Sequence, residues 1–189
     1  MQTTSNDKVI LGIDPGTTVM GYALIHVQQD KLNLLNFGVI QLNKLANHPD
    51  KLKRILDRLN GLIEEYKPDE MAIEAPFFGK NVQSMLKLGR AQGVAIASCL
   101  NHNIPFEEYS PRRIKQSITG SGSASKEQVA AMLQTLLNFP ELPKYLDATD
   151  GLAVAVCHHF SKGVGEHNKS KGKGGWSSFV SQNPTRLKK

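Results

Sequence analysis

The chain has almost nothing from which to build a covalent or thiolate framework: two cysteines in 189 residues, Cys99 and Cys157, each inside an apolar pattern of helical period. Two such isolated residues exclude a disulfide scaffold and a Cys-rich zinc site. A signal-peptide pattern and a long apolar run are also lacking, so the expectation is free thiols in a reducing cytoplasm and no membrane partner. The body lacks net charge as well. Seven basic residues (Lys162, Lys169, Lys171, Lys173, Arg186, Lys188 and Lys189) stand against Glu166 alone after Ser161 and account for the whole formal charge of +6. Residues 1–160 carry 16 charges of each sign, so a positive surface there can arise only by segregation. The length suffices for one well-buried α/β domain and is too short for two large lobes around a nucleotide cleft.

What is present is organised around Val9 to Ile25, VILGIDPGTTVMGYALI. The β-branched run predicts a strand ending on Asp14, and Pro15-Gly16-Thr17-Thr18 predicts a tight link into a hairpin partner starting near Gly21. Lys31 to Leu42 gives a third strand of an antiparallel meander. The period then changes: Leu52, Ile55, Leu56, Leu59, Leu62, Ile63 and Tyr66 fall at helical spacing over Asp50 to Tyr66, and Pro68 ends that helix. Met71 to Ala75 reads as a short strand stopped by Pro76, with Glu74 at its end. Asn81 caps a helix to about Leu100, whose Gly89, Ala91, Gly93, Ala95, Ala97 and Ser98 permit close approach of the domain's own sheet or of a second copy.

Ile104 to Tyr109 reads as a fifth strand, Pro111 to Lys115 as a basic helical turn, and Ile118 to Lys126 as a flexible Gly/Ser loop. Ser125-Lys-Glu-Gln128 is a capping box opening a helix to about Leu137, and a last helix after Pro143 contains Leu146 to Val156. Three strands followed by alternating helices and strands specify an α/β layer fold with one mixed five-stranded sheet flanked by helices. Met1 to Lys8 reads as a frayed leader, and residues 161–189, rich in Gly, Ser and Lys, as a disordered basic tail on a domain of residues 1–160.

Four carboxylates stand on apolar elements. Asp147 and Asp150 lie three apart on the last helix, hence on one face, and no Lys or Arg lies within a turn of them. Taken singly, Asp14 reads equally as a turn-capping acid, and the helical pair as acids favouring the helix dipole. Together with Asp14 and Glu74 at strand ends they form a set that is hard to stabilise without divalent cations. Hard oxygen donors with no accompanying Cys suit Mg²⁺ or Mn²⁺. His158 and His159 follow Asp150 by about two turns, roughly 12 Å, and read as helix-end residues rather than ligands. Shared carboxylates holding two such metals suit phosphodiester hydrolysis.

GIDPGTTVMGYALI, MAIEAPFF, NVQSMLKLGRAQGVAIA, ITGSGSASKEQV and DATDGLAVAVCHH occur in the order and spacing of RuvC-type Holliday-junction resolvases, and over about residues 8–160 the chain resembles that family. The resemblance implies a ribonuclease H-like fold, a homodimer and Mg²⁺-dependent nicking of two strands of like polarity at a four-way DNA junction. It implies 5′-phosphate and 3′-hydroxyl ends, two ions per site with Mn²⁺ as a substitute, and a role in homologous recombination and repair. A branch-migration complex of the RuvA/RuvB type is the implied partner, and the nucleoid within the cytoplasm the implied place. Carried over, Asp14, Glu74, Asp147 and Asp150 resemble the catalytic metal ligands, Lys115 and Lys126 the basic residues near the scissile phosphate, and Phe77, with Phe78 beside it, the aromatic that stacks at the junction centre. Lys80, Lys87, Arg90, Arg112, Arg113, Lys115 and Lys126 form the basic set expected to contact phosphates, so binding is expected to weaken with salt.

Two rival readings follow from the same residues. The Asp-Pro-Gly-Thr-Thr turn also resembles the phosphate-binding opening of actin-like ATPases and sugar kinases, but the second lobe those require is missing. A non-catalytic junction-binding protein predicts loss of acids, whereas all four are present.

Overall fold

The computed structural model describes residues 7–29, 31–76, 81–141, 143 and 146–169, with side chains through Lys162. Among these, five strands form one sheet in the order β3-β2-β1-β4-β5. They are β1 (Lys8–Asp14), β2 (Val19–Gln28), β3 (Lys31–Gln41), β4 (Glu70–Glu74) and β5 (Phe106–Tyr109). β1 pairs antiparallel with β2, and β2 with β3; β1 pairs parallel with β4, and β4 with β5. The helices are α1 (His48–Tyr66), α2 (Val82–Asn101), α3 (Pro111–Thr119), α4 (Lys126–Leu137) and α5 (Asp147–Lys169). Met1–His159 form one compact unit, and Phe160–Lys189 a second whose described part is the end of α5.

Strand period assigns the two faces. Leu11 and Ile13 of β1, Leu24 of β2, and Met71 and Ile73 of β4 are fully buried in one cluster with Ile55, Leu59 and Leu62 of α1 and Ala95 and Cys99 of α2. The alternate positions of the same strands, among them Gly12, Asp14, Ala72 and Glu74, therefore face the opposite way. α5 lies on that second face, and it lies very close. A Cβ on Gly12 would stand 2.3 Å from the carbonyl oxygen of Gly151, one on Gly21 2.0 Å from that of Asp147, and one on Gly151 2.7 Å from the amide of Tyr22. Three glycines thus let helix backbone rest on sheet backbone. Gly151, a poor helix former by propensity, is where the helix touches the sheet.

Because the obstructing atoms are backbone, Gly21→Ala must move α5 rather than a side chain. We expect a loss of about 1–3 kcal/mol in urea unfolding, with a raised divalent-metal requirement for cleavage because Asp147 moves with the helix. Wild-type values in both assays would show that the crossing tolerates the methyl group.

Several sequence expectations are corrected. α1 begins at His48 rather than Asp50, because the Asn47 side chain accepts from the Asp50 amide and caps the helix. β5 begins at Phe106 rather than Ile104. The basic turn at Pro111 is a nine-residue helix, capped by Ser110 and anchored by buried Ile114 and Ile118, which removes Ile118 and Thr119 from the Gly/Ser loop. Asp7 pairs with His26 and β1 starts at Lys8, while residues 1–6 lie outside the described set. α5 continues past Lys162 to Lys169, and the rest of the basic stretch, including Trp176, lies outside the described residues. Cys99 and Cys157 are free and buried, as expected.

Candidate active site

Asp14 is the last residue of β1 and Glu74 the last of β4, and the parallel register Ile13↔Ile73 sets them side by side at the carboxyl edge of the sheet. That edge is where open α/β sheets present ligand-binding groups. Asp14 also pairs with Gly21, against which the carbonyl of Asp147 rests, so the glycine contact brings the first turn of α5 to the same edge. A cavity of about 420 Å³ is lined by Asp14, Glu74 and Asp150, with Lys115, Lys126, Pro111, Ile114, Val129 and Ala153 as its walls. An adjoining cavity of about 350 Å³ shares Asp14, Glu74 and Lys126 and adds Pro15, Ala75, Pro76, Leu88 and Gln92.

The partner missing from the local sequence of the helical acids comes from α4. Lys126 Nζ donates to Asp150 Oδ2 at 2.5 Å and lies 3.9 Å from Asp147 Oδ1. Lys126 is placed by the capping box at the start of α4, where Ser125 accepts from the Gln128 amide and the Gln128 side chain accepts from the Ser125 amide. One ammonium cannot balance the set. Burial, then the charges of Glu74, Asp150 and Asp147, push Asp14 up to about 8 despite Lys126. Burial and Asp150 raise Glu74 to about 7, with Lys126 and Lys115 pulling the other way. Burial opposes the Lys126 ammonium, but its hydrogen bond to Asp150 and the charges of Asp150, Asp14 and Asp147 outweigh that and raise its pKa.

The donor set has the chemistry of a hard divalent-cation site: carboxylates only, no sulfur, and negative charge in excess of the local cations. Among the described residues no three of these groups are already spaced to grip one ion, and the Lys126 ammonium stands among them.

The model of the family described as "Crossover junction endodeoxyribonuclease RuvC" matches residues 10–158, most of the chain. A relative of that name from Cytophaga hutchinsonii is 61% identical over 182 residues, 96% of this chain and 89% of the relative. The chain belongs to the RuvC family. It is therefore an endodeoxyribonuclease of crossover junctions, and the kinase-like and non-catalytic readings fall away. A relative of the same name from Christiangramia forsetii is 57% identical over 183 residues, 97% of this chain and 94% of its own. The solved structure described as T. thermophilus RuvC in complex with Holliday junction substrate matches with a TM-score of 0.78 at 30% identity, covering 84% of this chain and 96% of that one. The ribonuclease H-like architecture expected from the resemblance is thereby shown.

The structure brings together Asp14, Glu74, Asp147 and Asp150 with Lys115 and Lys126. It separates the remaining basic residues into other places. Lys87 and Arg90 of α2 lie near His48, which burial and the charges of Arg90, Lys87 and Lys51 hold below the ordinary histidine range. Arg112 packs against Gly122 and lines two clefts with Gln116, one along α3 and one at the serine loop. The Arg113 guanidinium stacks over the Tyr109 ring at 5.2 Å, a cation–π contact that gives it a structural task. Phe77, Phe78 and Lys80 lie outside the described residues.

Sequence reasoning missed Leu88 and Gln92 as walls of the site. Gln92 is 5% exposed and donates to Glu108 at 2.7 Å, and a polar residue on the inward face of a small-sided helix was the available signal. It also misjudged His158, which lies within α5 rather than at its end and is buried.

Proposed function

We propose that the chain cuts a four-way junction by divalent-metal-assisted hydrolysis, nicking two strands of like polarity and leaving 5′-phosphate and 3′-hydroxyl ends. The observation that carries this reading is the convergence of four carboxylates on a cavity edge, where burial and the neighbouring acids hold Asp14 at about 8. Asp14, Glu74, Asp147 and Asp150 would hold the metal, Mg²⁺ or Mn²⁺ and two ions once DNA is bound. When bound, such ions lower the pKa of water and stabilise the leaving oxygen. The protein's own residues do the rest. The carboxylates fix a negative frame that favours a phosphate accompanied by cations over a bare one, and Lys126, displaced from Asp150, has an ammonium free for a non-bridging phosphate oxygen. Lys115, which lines the same cavity, supports the phosphate. Lys80, Lys87, Arg90 and Arg112 contact the backbone of the arms, and Phe77 or Phe78 stacks at the opened centre.

Paired nicking requires two sites, and α2 offers the surface for a homodimer. Val82, Leu86, Gly89, Gly93, Ala97 and Leu100 recur at helical spacing on one face; Val82 is 66% exposed, Leu86 51% and Leu100 52%, and a Cβ on Gly89 or Gly93 would meet nothing within 4 Å. Gly93→Glu is expected to shift the protein to monomer in sedimentation and to convert paired nicks into single ones. A dimer with wild-type paired cutting would move the interface elsewhere.

No helix among the described residues is long and apolar enough to cross a membrane. We place the protein in the cytoplasm with the nucleoid, acting with a branch-migration complex of the RuvA/RuvB type. Residues 1–160 act as the nuclease domain and residues 161–189 as a basic tail that adds salt-sensitive affinity. The decisive assay is cleavage of a synthetic four-way junction with Mg²⁺ against a metal-free control and Asp150→Asn. Paired nicks in Mg²⁺ alone are expected, with junction binding retained by the variant. Equal cleavage without metal would refute the mechanism.

A further inference from the structure

On the face of the sheet that carries the acids, a chain of polar groups runs through the interior beside α5. Tyr109 Oη donates to Glu107 Oε2 at 2.8 Å and lies 2.8 Å from His158 Nδ1. His158 Nε2 lies 2.9 Å from Glu70 Oε2, which also meets Lys8 Nζ at 3.1 Å. His158 is 1% exposed. With Glu107 and Glu70 as carboxylates, the phenol gives its one proton to Glu107, so Nδ1 donates to Tyr109, and Nε2 donates to Glu70, since a carboxylate only accepts. Both ring nitrogens therefore carry hydrogen.

We propose that His158 is a positioning residue of the nuclease site: as a buried imidazolium bonded to Tyr109 of β5 and Glu70 of β4, it fixes the rotation of α5 and so the direction in which Asp147 and Asp150 point. The inference rests on the metal-nuclease reading above. Each element it joins carries part of the site. β4 ends at Glu74, β5 leads directly into α3 with Lys115, and α5 begins with the two acids. Gly151, Ala155 and His158 fall four and three apart, on one helix face. Gly151 and Ala155 are the residues against Gly12 and Tyr22, so backbone contact sets the helix height and His158 its rotation two turns further on.

Among the charged and titratable groups around His158 are Glu70 from β4, Lys8 from β1, Glu107 and Tyr109 from β5, Cys157 from α5, and Arg113 of α3 over the Tyr109 ring. Burial, then the hydrogen bond to Glu107, raise the pKa of Tyr109, which keeps the phenol proton the chain requires.

The test uses the full-length protein. Nitrogen NMR of ¹⁵N-histidine-labelled protein at pH 7.5, above the ordinary histidine value of about 6.5, is expected to show both His158 nitrogens protonated. His158→Phe is expected to weaken Mn²⁺ binding in the absence of DNA, read by electron paramagnetic resonance, by about tenfold. Metal-free junction affinity should be unchanged. Tyr109→Phe, which keeps the Glu70 bond, should shift Mn²⁺ binding less in the same direction. An unprotonated ring nitrogen overturns the proposal, as does wild-type Mn²⁺ affinity in a cooperatively folding His158→Phe protein. If that variant does not fold, wild-type Mn²⁺ affinity in Tyr109→Phe overturns it. Wild-type protein that neither binds Mn²⁺ nor cuts a junction would instead defeat the nuclease reading, and the NMR result would still decide the charge on His158.

Discussion

Asp14→Asn is expected to abolish junction cleavage in Mg²⁺ while making the metal-free fold more stable at pH 8 than the wild type. The first effect follows from the place of Asp14 beside Glu74 and within reach of both helical acids: it is the one carboxylate all the others act on. Loss should be about a thousandfold or more, beyond the 10–100-fold typical of groups that only support a metal ligand. The second effect follows from linkage. The ordinary value of Asp14 is 3.8 and the folded value about 8, so between these limits the folded protein holds a proton that the unfolded chain releases. Metal-free stability therefore falls as pH rises through that window, on the order of 1 kcal/mol per pH unit. Glu74, raised from 4.5 to about 7, adds to the slope between those values. Asparagine removes the Asp14 contribution. Urea midpoints for both proteins from pH 5 to 8 in chelator should diverge toward alkaline pH. Parallel curves would mean that the fold does not raise the pKa of Asp14.

Lys126→Gln should have the next largest effect and the opposite sign in the absence of metal. The ammonium bonds Asp150 and lowers the pKa of both Asp14 and Glu74, so its removal leaves the carboxylates uncompensated. We expect a lower metal-free melting temperature, a larger rise on adding Mg²⁺, and cleavage reduced about a hundredfold through loss of the phosphate contact. Differential scanning calorimetry with and without Mg²⁺ separates the electrostatic part, and single-turnover cleavage the chemical part. A variant that melts like wild type in chelator would show that Lys126 is not the internal counter-cation.

The two substitutions act on one site from two sides. Asp14→Asn removes charge from a frame that has too much of it, and Lys126→Gln removes the cation that partly offsets it. The departure of the double variant's metal-free effect from the sum of the two single effects is the coupling between the groups, which a double-mutant cycle measures.

Much of this was legible in the order of residues. Alternation and turn chemistry mark Asp14 and Glu74 as strand-end acids, helical period puts Asp147 and Asp150 on one face, and Asn81 and Ser125 cap the helices they were expected to cap. These are local properties, set by strand and helix periods and by side chains reaching amides three residues away. Parallel pairing of β1 with β4 is not local, and it alone makes Asp14 and Glu74 neighbours across 60 residues of chain. The partner of the helical acids could not be found near them because Lys126 arrives from another helix, 24 residues earlier in the chain. Gly12, Gly21 and Gly151 read singly as weak points in a strand or helix; only packing shows that they are one contact, where a methyl group would strike backbone. His158 looked like a polar helix end because its partners, Glu70 and Tyr109, lie 88 and 49 residues away. The sequence by itself determined which acids stand at the ends of strands and on one face of the last helix, since periodicity and capping need only near neighbours. Tertiary structure decided their distances and protonation, since these depend on burial and on charges that chain order keeps apart.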